Sequence, residues 1–353
     1  MRTVITGSGS FIPSNIKKNQ SFHEHFFYDE NNQPIPHNVS SIVSKFQQIT
    51  GIKERRYADV TINASGMAAI AGEAAIKDAG IDAETIDQII VAHNFADVAA
   101  NSKYPDTVPS LASRIKHRLQ IKNPSCVAYD ILFGCPGWLQ GLIQADAYTK
   151  AGIAKTCLVI GTETLSRVID PHDRDSMIYG DGAGAVITEM REGNGGIMGS
   201  DSASFAGDDV HFISMGKSNC CNHNTPVNYL KMQGRKVYEF ALKYVPLAIK
   251  NCLDKCNVSL AEVKKIFIHQ ANEKMDEAIV KRLYELYNIA EIPEYIMPMN
   301  IQTLGNSSVA TIPTLYDMVT KGVLDGHTIN KNDILVFASV GAGMNINAVC
   351  YRA

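Results

Sequence analysis

The 353-residue chain has no run of about 18 apolar residues, the minimum for a membrane span. It also lacks a marked charge of either sign: 33 basic against 36 acidic residues leave a net charge of −3. A strongly basic nucleic-acid binder is therefore excluded as an overall class, although a local basic patch is not. The opening MRTVITGSGSFIP has no charged leader, apolar stretch or small-residue cleavage site, so a cytoplasmic protein is expected. Eight cysteines are scattered along the chain without a framework spacing, and reduced thiols are expected. Cys252 and Cys256, with the cluster Cys220, Cys221 and His223, match no zinc spacing, so no metal is expected.

What the sequence does contain is a duplication. AGIDAETIDQIIVAHN from Ala79 and CNVSLAEVKKIFIHQA from Cys256 share one pattern, and 177 positions separate Ile81 from Val258. The same 177 separates TCLVIGTE at Thr156 from DILVFASV at Asp333, about half the chain. Each half alternates short continuous apolar runs, which suit strands covered on both faces, with helical stretches near 64–79, 108–119, 136–151, 236–256, 273–287 and 310–321. The expected fold is α/β, with two duplicated halves, 1–192 and 193–353, in an α/β/α/β/α layering. Tyr28–Asn38 reads as an inserted surface loop, and 94–106 and 193–225 as long loops.

In YDILFGCPGWLQG, Cys135 follows an apolar strand and a glycine and precedes Pro136, a residue favoured at the start of a helix. A helix N-terminus stabilises a thiolate and offers free N–H groups to an oxyanion. A small core cysteine is the competing reading. His269 ends the strand KIFIH, where α/β proteins place chemistry, and the duplication puts Ala92 at the equivalent position, so the fold itself does not demand histidine. Asn306, in LGNSSVATIP, is either a helix cap or a site residue; the offset maps it onto Tyr129, close to the nucleophile's strand end. Gly341 and Gly343 in VGAGMN offer backbone donors, or form an ordinary turn.

These residues, taken in order, resemble the β-ketoacyl-acyl carrier protein synthase III family of thiolase-fold condensing enzymes. The resemblance runs through TGSGSFIPSN, ITGIKERRYAD, FGCPGWLQG, DRDSMIYGDGAGAVI, MQGRKVYEFA, HQAN, GNSS and the closing GAG. GDGAGA does not sit between a strand and a helix, so it is not a dinucleotide loop. The resemblance implies a catalytic triad of Cys135, His269 and Asn306. Cys135 takes the acyl group of a thioester, and malonyl-acyl carrier protein then condenses with loss of CO₂. His269 and Asn306 would stabilise the enolate, and the N–H groups of Cys135 and of Gly341 or Gly343 the second oxyanion. No cofactor is implied beyond CoA and carrier-protein thioesters as substrates, and a homodimer is expected, with loop 94–106 reaching towards the neighbour.

The resemblance further implies a carrier-protein docking patch at Lys274, Lys281 and Arg282, extended by Arg235 and Lys236. It implies a CoA site at Arg174 and at Lys45, which replaces the family's usual tryptophan. Phe133 and Trp138 are bulkier than the residues usual around the nucleophile and are expected to shape the acyl pocket. The primer acyl group is thus left open, as is a specialised pathway. The competing functions are a cysteine-dependent acyltransferase on the same fold and a non-catalytic partner subunit.

Overall fold

In a computed structural model the structure describes residues 1–102, 104–220 and 226–353. Cys221 and His223 of the sequence cluster lie outside the described residues.

Two sheets carry the fold. The first contains β1 (Arg2–Phe11), β2 (Gln88–Ala92), β3 (Val127–Ile131), β4 (Thr156–Thr164) and β5 (Asp181–Arg191), in the order β1-β5-β4-β2-β3. The second contains β6 (Gly196–Ser204), β7 (Val263–Ile268), β8 (Ile334–Gly341) and β9 (Asn345–Arg352), in the order β6-β9-β8-β7. Both repeat one pairing pattern. The β1/β5 and β5/β4 pairs are antiparallel and β4/β2 is parallel; likewise β6/β9 and β9/β8 are antiparallel and β8/β7 parallel. That is the duplication seen in the sequence. β4 and β8 are buried along their whole length, which explains why they read as continuous apolar runs rather than alternating ones.

Helices form the other layers. α1 spans Val39–Thr50, α2 Ala64–Ala79, α3 Leu111–Arg118, α4 Gly137–Lys150, α5 Gly234–Lys255, α6 Glu273–Leu286 and α7 Thr311–Thr320. One apolar cluster joins α4 (Leu139, Leu142, Ala145) and α7 (Ile312, Leu315, Val319) to both sheets through Val159, Val186, Leu335, Phe337 and Val349. These two helices are thus the middle layer. α2 and α3 cover the outer face of the first sheet, and α5 and α6 that of the second. Among the described residues no helix is long and apolar enough to cross a membrane.

Two local expectations are corrected. The stretch beginning at Gly193 is not a loop throughout: β6 forms the edge of the second sheet, and Ile213–Gly216 pairs with Tyr229–Met232. α1 was not assigned from the sequence, although Ile42, Val43 and Phe46 form the buried stripe expected of an amphipathic helix. The Tyr28–Asn38 insertion feeds it, and the Asn38 side chain caps it by accepting from Ser40 N at 2.9 Å.

Candidate active site

The strand-to-helix turn after β3 creates the site. Gly134 takes φ +66°, a conformation open to glycine, so the chain reverses sharply and presents Cys135 just before the Pro136 cap of α4. A second chain segment closes on this turn. The Gly341–Ala342 backbone at the end of β8 lies so near that a Cβ on Gly134 would stand 2.6 Å from Ala342 N. The two sheets therefore meet at Cys135 through backbone.

His269 follows β7 directly and is 4% exposed. Its backbone N–H donates to Ala338 O at 2.9 Å, extending the β7/β8 pairing into the site. Burial pushes its imidazole down to about 4, opposed by a hydrogen bond with the Ser308 backbone, so the ring is neutral at pH 7. Asn306 is pinned to the segment before β5, donating its N–H to Ile178 O at 2.9 Å and accepting at its carbonyl from Gly180 N at 2.8 Å. Its Oδ1 accepts from Ser308 N at 2.7 Å. With Oδ1 occupied, Nδ2 is the atom left to donate to a bound molecule.

Cys135, His269 and Asn306 line one cavity of about 140 Å³, walled also by Phe95, Leu165, Tyr179, Met215, Leu230 and Ala342. Ser308 ties them together: its Oγ donates to Cys135 Sγ at 3.2 Å and its N–H to Asn306, while its backbone meets His269. Burial pushes the Cys135 thiol up to about 11, and the Ser308 hydroxyl pulls it back. Sequence reasoning missed Ser308, as it missed Asn94 and Glu163 beside it. The legible signal was Glu163 itself, a carboxylate inside the otherwise uncharged strand TCLVIGTET.

Two expectations about this cavity are corrected. Trp138 does not line it: the side chain is 1% exposed, donates from Nε1 to Val159 O at 3.3 Å and packs edge-on against Phe337. Phe133 packs against the same core cluster. The reason is directional. Cys135 precedes the helix, whereas position 138 already belongs to the face of α4 turned into the middle layer. Gly343 also lies off the cavity wall, its free side facing the Asn345 side chain; the backbone against Cys135 is that of Gly341 and Ala342.

An outer cleft of about 700 Å³ is lined by Lys45, Ile49, Arg174, Arg235 and Asn272, with Ile35 and His37 of the insertion. It shares Met232, Val237, Ala271 and Met275 with the inner cavity, so the two form one channel from the surface to the sulfur. Lys45 and Arg174 are thus brought together, and the insertion forms part of the mouth. On α6, Lys274 and Lys281 are exposed two turns apart on one face, while Arg282 pairs with Glu285 at 3.0 Å. Arg235 pairs with Glu239 at 2.9 Å, and Lys236 lies over the Phe212 ring.

Comparison with known proteins agrees with this geometry. The family description 3-oxoacyl-[acyl-carrier-protein (ACP)] synthase III matches residues 129–205, and its C-terminal counterpart matches 253–353. The chain is 32% identical over 354 residues to β-ketoacyl-[acyl-carrier-protein] synthase III of Oceanobacillus iheyensis, covering 100% of this chain and 99% of the relative. The crystal structure of 3-oxoacyl-[acyl-carrier-protein] synthase III from Aquifex aeolicus superposes with a TM-score of 0.79 at 28% identity, covering 99% of this chain and 100% of that one. The priming β-ketosynthase of the R1128 polyketide pathway shares the fold, with a TM-score of 0.81 at 24% identity, covering 100% of this chain and 96% of that one.

Proposed function

The chain belongs to the 3-oxoacyl-[acyl-carrier-protein] synthase III family, and on that premise we propose how its site performs the family's condensation. It is a condensing acyltransferase of fatty-acid biosynthesis. In our reading the Cys135 thiolate attacks the carbonyl of an acyl thioester. A new C–S bond forms, the old one breaks, and the departing thiol carries the proton away. Malonyl-acyl carrier protein then enters the same channel. Its carboxylate leaves as CO₂, and the electron pair passes to the thioester enolate, whose oxygen receives hydrogen bonds from His269 and Asn306 Nδ2. The enolate carbon attacks the acyl-Cys135 carbonyl, and the sulfur leaves as the β-ketoacyl product forms.

The observation that carries this reading is that Ser308 bonds to the sulfur of Cys135 and to the side chain of Asn306 within one buried cavity that His269 also lines. A neutral imidazole still carries one N–H, which can donate to an anionic oxygen.

Lys45 and Arg174 at the channel mouth are assigned to the phosphates and adenine of CoA, and exposed Lys274 and Lys281 to an acidic carrier protein. A homodimer is supported by β3, an edge strand flanked by exposed apolar groups: Val127 is 50% exposed and Leu132 69%. Cytoplasmic location belongs to the same reading. The deciding experiment is intact-mass analysis after incubation with a panel of acyl thioesters, followed by CO₂ release from malonyl-acyl carrier protein. An acyl adduct on Cys135 with CO₂ release is expected. An adduct that transfers without CO₂ would make the chain a simple acyltransferase.

A further inference from the structure

We propose that Glu163, Asn94 and Ser308 form a hydrogen-bonded relay that fixes the Ser308 hydroxyl as a donor to the Cys135 sulfur and so sets the reactivity of the nucleophile. Ser308 touches the reacting atom; Asn94 and Glu163 are positioning residues. This rests on Cys135 being the nucleophile.

The relay begins inside the first sheet. Glu163, at the end of β4, is 0% exposed, an unusual place for a carboxyl group, and among the described residues it has no ion-pair partner. Its Oε1 accepts from Asn94 N at 2.8 Å and from Asn94 Nδ2 at 2.5 Å. Asn94 follows the neighbouring strand β2 and faces the cavity. Its second Nδ2 proton goes to Ser308 Oγ at 3.1 Å. Ser308 Oγ reaches Cys135 Sγ at 3.2 Å.

The chemistry of these groups gives the chain one direction. A side-chain amide nitrogen only donates, so Ser308 Oγ must accept from Asn94. Its single proton then has the sulfur as its partner. Were Asn94 turned over, its carbonyl would face the Glu163 oxygen and compete for the Ser308 proton, and the thiolate would lose its donor. The Nδ2 bond to Oε1 favours the orientation observed, while the backbone N–H bond fixes where Asn94 stands.

The backbone at Ser308 supports a functional placement. Its φ is +53°, in the left-handed region that residues other than glycine rarely adopt, and such outliers gather at active sites. The conformation holds the hydroxyl on the sulfur while the N–H meets Asn306.

Electrostatics fit as well. The ionisable groups around the sulfur are Glu163, His269 and Tyr179; Asp181, on the neighbouring strand β5, faces Glu163. His269 stays neutral and Tyr179 protonated through the working range, because burial lowers the one and raises the other. Burial also lifts Glu163 to about 8, so near neutrality it is mostly uncharged and acts on the sulfur as an acceptor for Asn94 rather than as a repelling charge.

The test is the pH profile of iodoacetamide alkylation at Cys135, read by peptide mass between pH 7 and 12 so that it brackets the raised thiol midpoint of about 11. Ser308→Ala, and Ser308→Gly, which removes the hydroxyl while relieving the backbone, are expected to move the midpoint up by about one unit and slow alkylation at pH 7 about tenfold. Asn94→Ala should shift it in the same direction, and combined with Ser308→Gly should shift it no further than Ser308→Gly alone; Glu163→Leu should slow alkylation at pH 7, where the carboxyl is mostly uncharged. Glu163→Gln, which keeps an acceptor, should match the parent at pH 7. Melting curves confirm that each variant is folded. An unchanged midpoint in Ser308→Gly, or additive shifts in the double variant, overturns the relay. A parent protein that forms no acyl adduct at Cys135 instead overturns the nucleophile on which it rests.

Discussion

Gly341 lies directly against Cys135: a Cβ built on Gly341 would collide with the Cys135 amide nitrogen, and no rotamer would relieve the clash because the neighbour is backbone. The second sheet thus sets the position of an amide belonging to the first. Gly341→Ala should cost about 1–3 kcal/mol of stability through overpacking. It should also lower condensation about 100-fold by displacing an oxyanion donor. Calorimetry and turnover together check this; parent-level turnover in Gly341→Ala would show that the amide takes no part.

Removal of the proposed enolate donors should separate the two half-reactions. His269→Ala and Asn306→Ala are each expected to lower CO₂ release about 10²–10³-fold while leaving the acyl-Cys135 mass intact. If either variant loses acylation and CO₂ release equally, its role lies with the nucleophile instead.

The acyl pocket prediction follows from the burial of Trp138. Trp138→Phe should lower stability on the order of 1–3 kcal/mol yet leave acyl-chain preference unchanged, since its ring packs on Phe337 in the core. Met215→Ala or Leu230→Ala, in the cavity wall, should shift the adduct pattern towards longer or branched chains. Intact mass over an acyl-thioester panel reads both.

At the mouth of the channel, Lys45→Glu and Arg174→Glu should raise KM for acyl-CoA about fivefold each, the scale of one exposed charge contact, with kcat unchanged. Steady-state kinetics at two salt concentrations check this, because the effect should shrink as salt rises.

Two buried groups pull stability in opposite directions with pH. The His269 pKa is depressed to about 4, so between there and about 6.5 the unfolded chain binds the extra proton and stability rises with pH. The Glu163 pKa is raised to about 8, so from about 4.5 upward the folded chain holds the extra proton and stability falls as pH rises. Glu163→Gln should therefore gain stability over the parent as pH climbs from 5 to 8, by at most a few kcal/mol. Melting curves at pH 5 and 8 decide it; an equal difference at both values would refute a buried carboxyl with a raised pKa.

Much of this protein is written locally. The period of the apolar residues marks most of the strands of the two sheets, and the shared offset of 177 reveals their duplication, because strands buried on both faces must be continuously apolar. Cys135, His269 and Asn306 stand out at strand ends and turns, but local pattern left each with a structural alternative, and their grouping came from the family resemblance. Direction is not legible. That Trp138 turns into the middle layer, that Ala342 rather than Gly343 walls the cavity, and that Glu163 reaches Cys135 through Asn94 and Ser308 depend on where separate strands come to rest. Asn94 and Glu163 meet because β2 and β4 are neighbours in the first sheet, and Ser308, just before α7, reaches them only when the middle layer packs against that sheet.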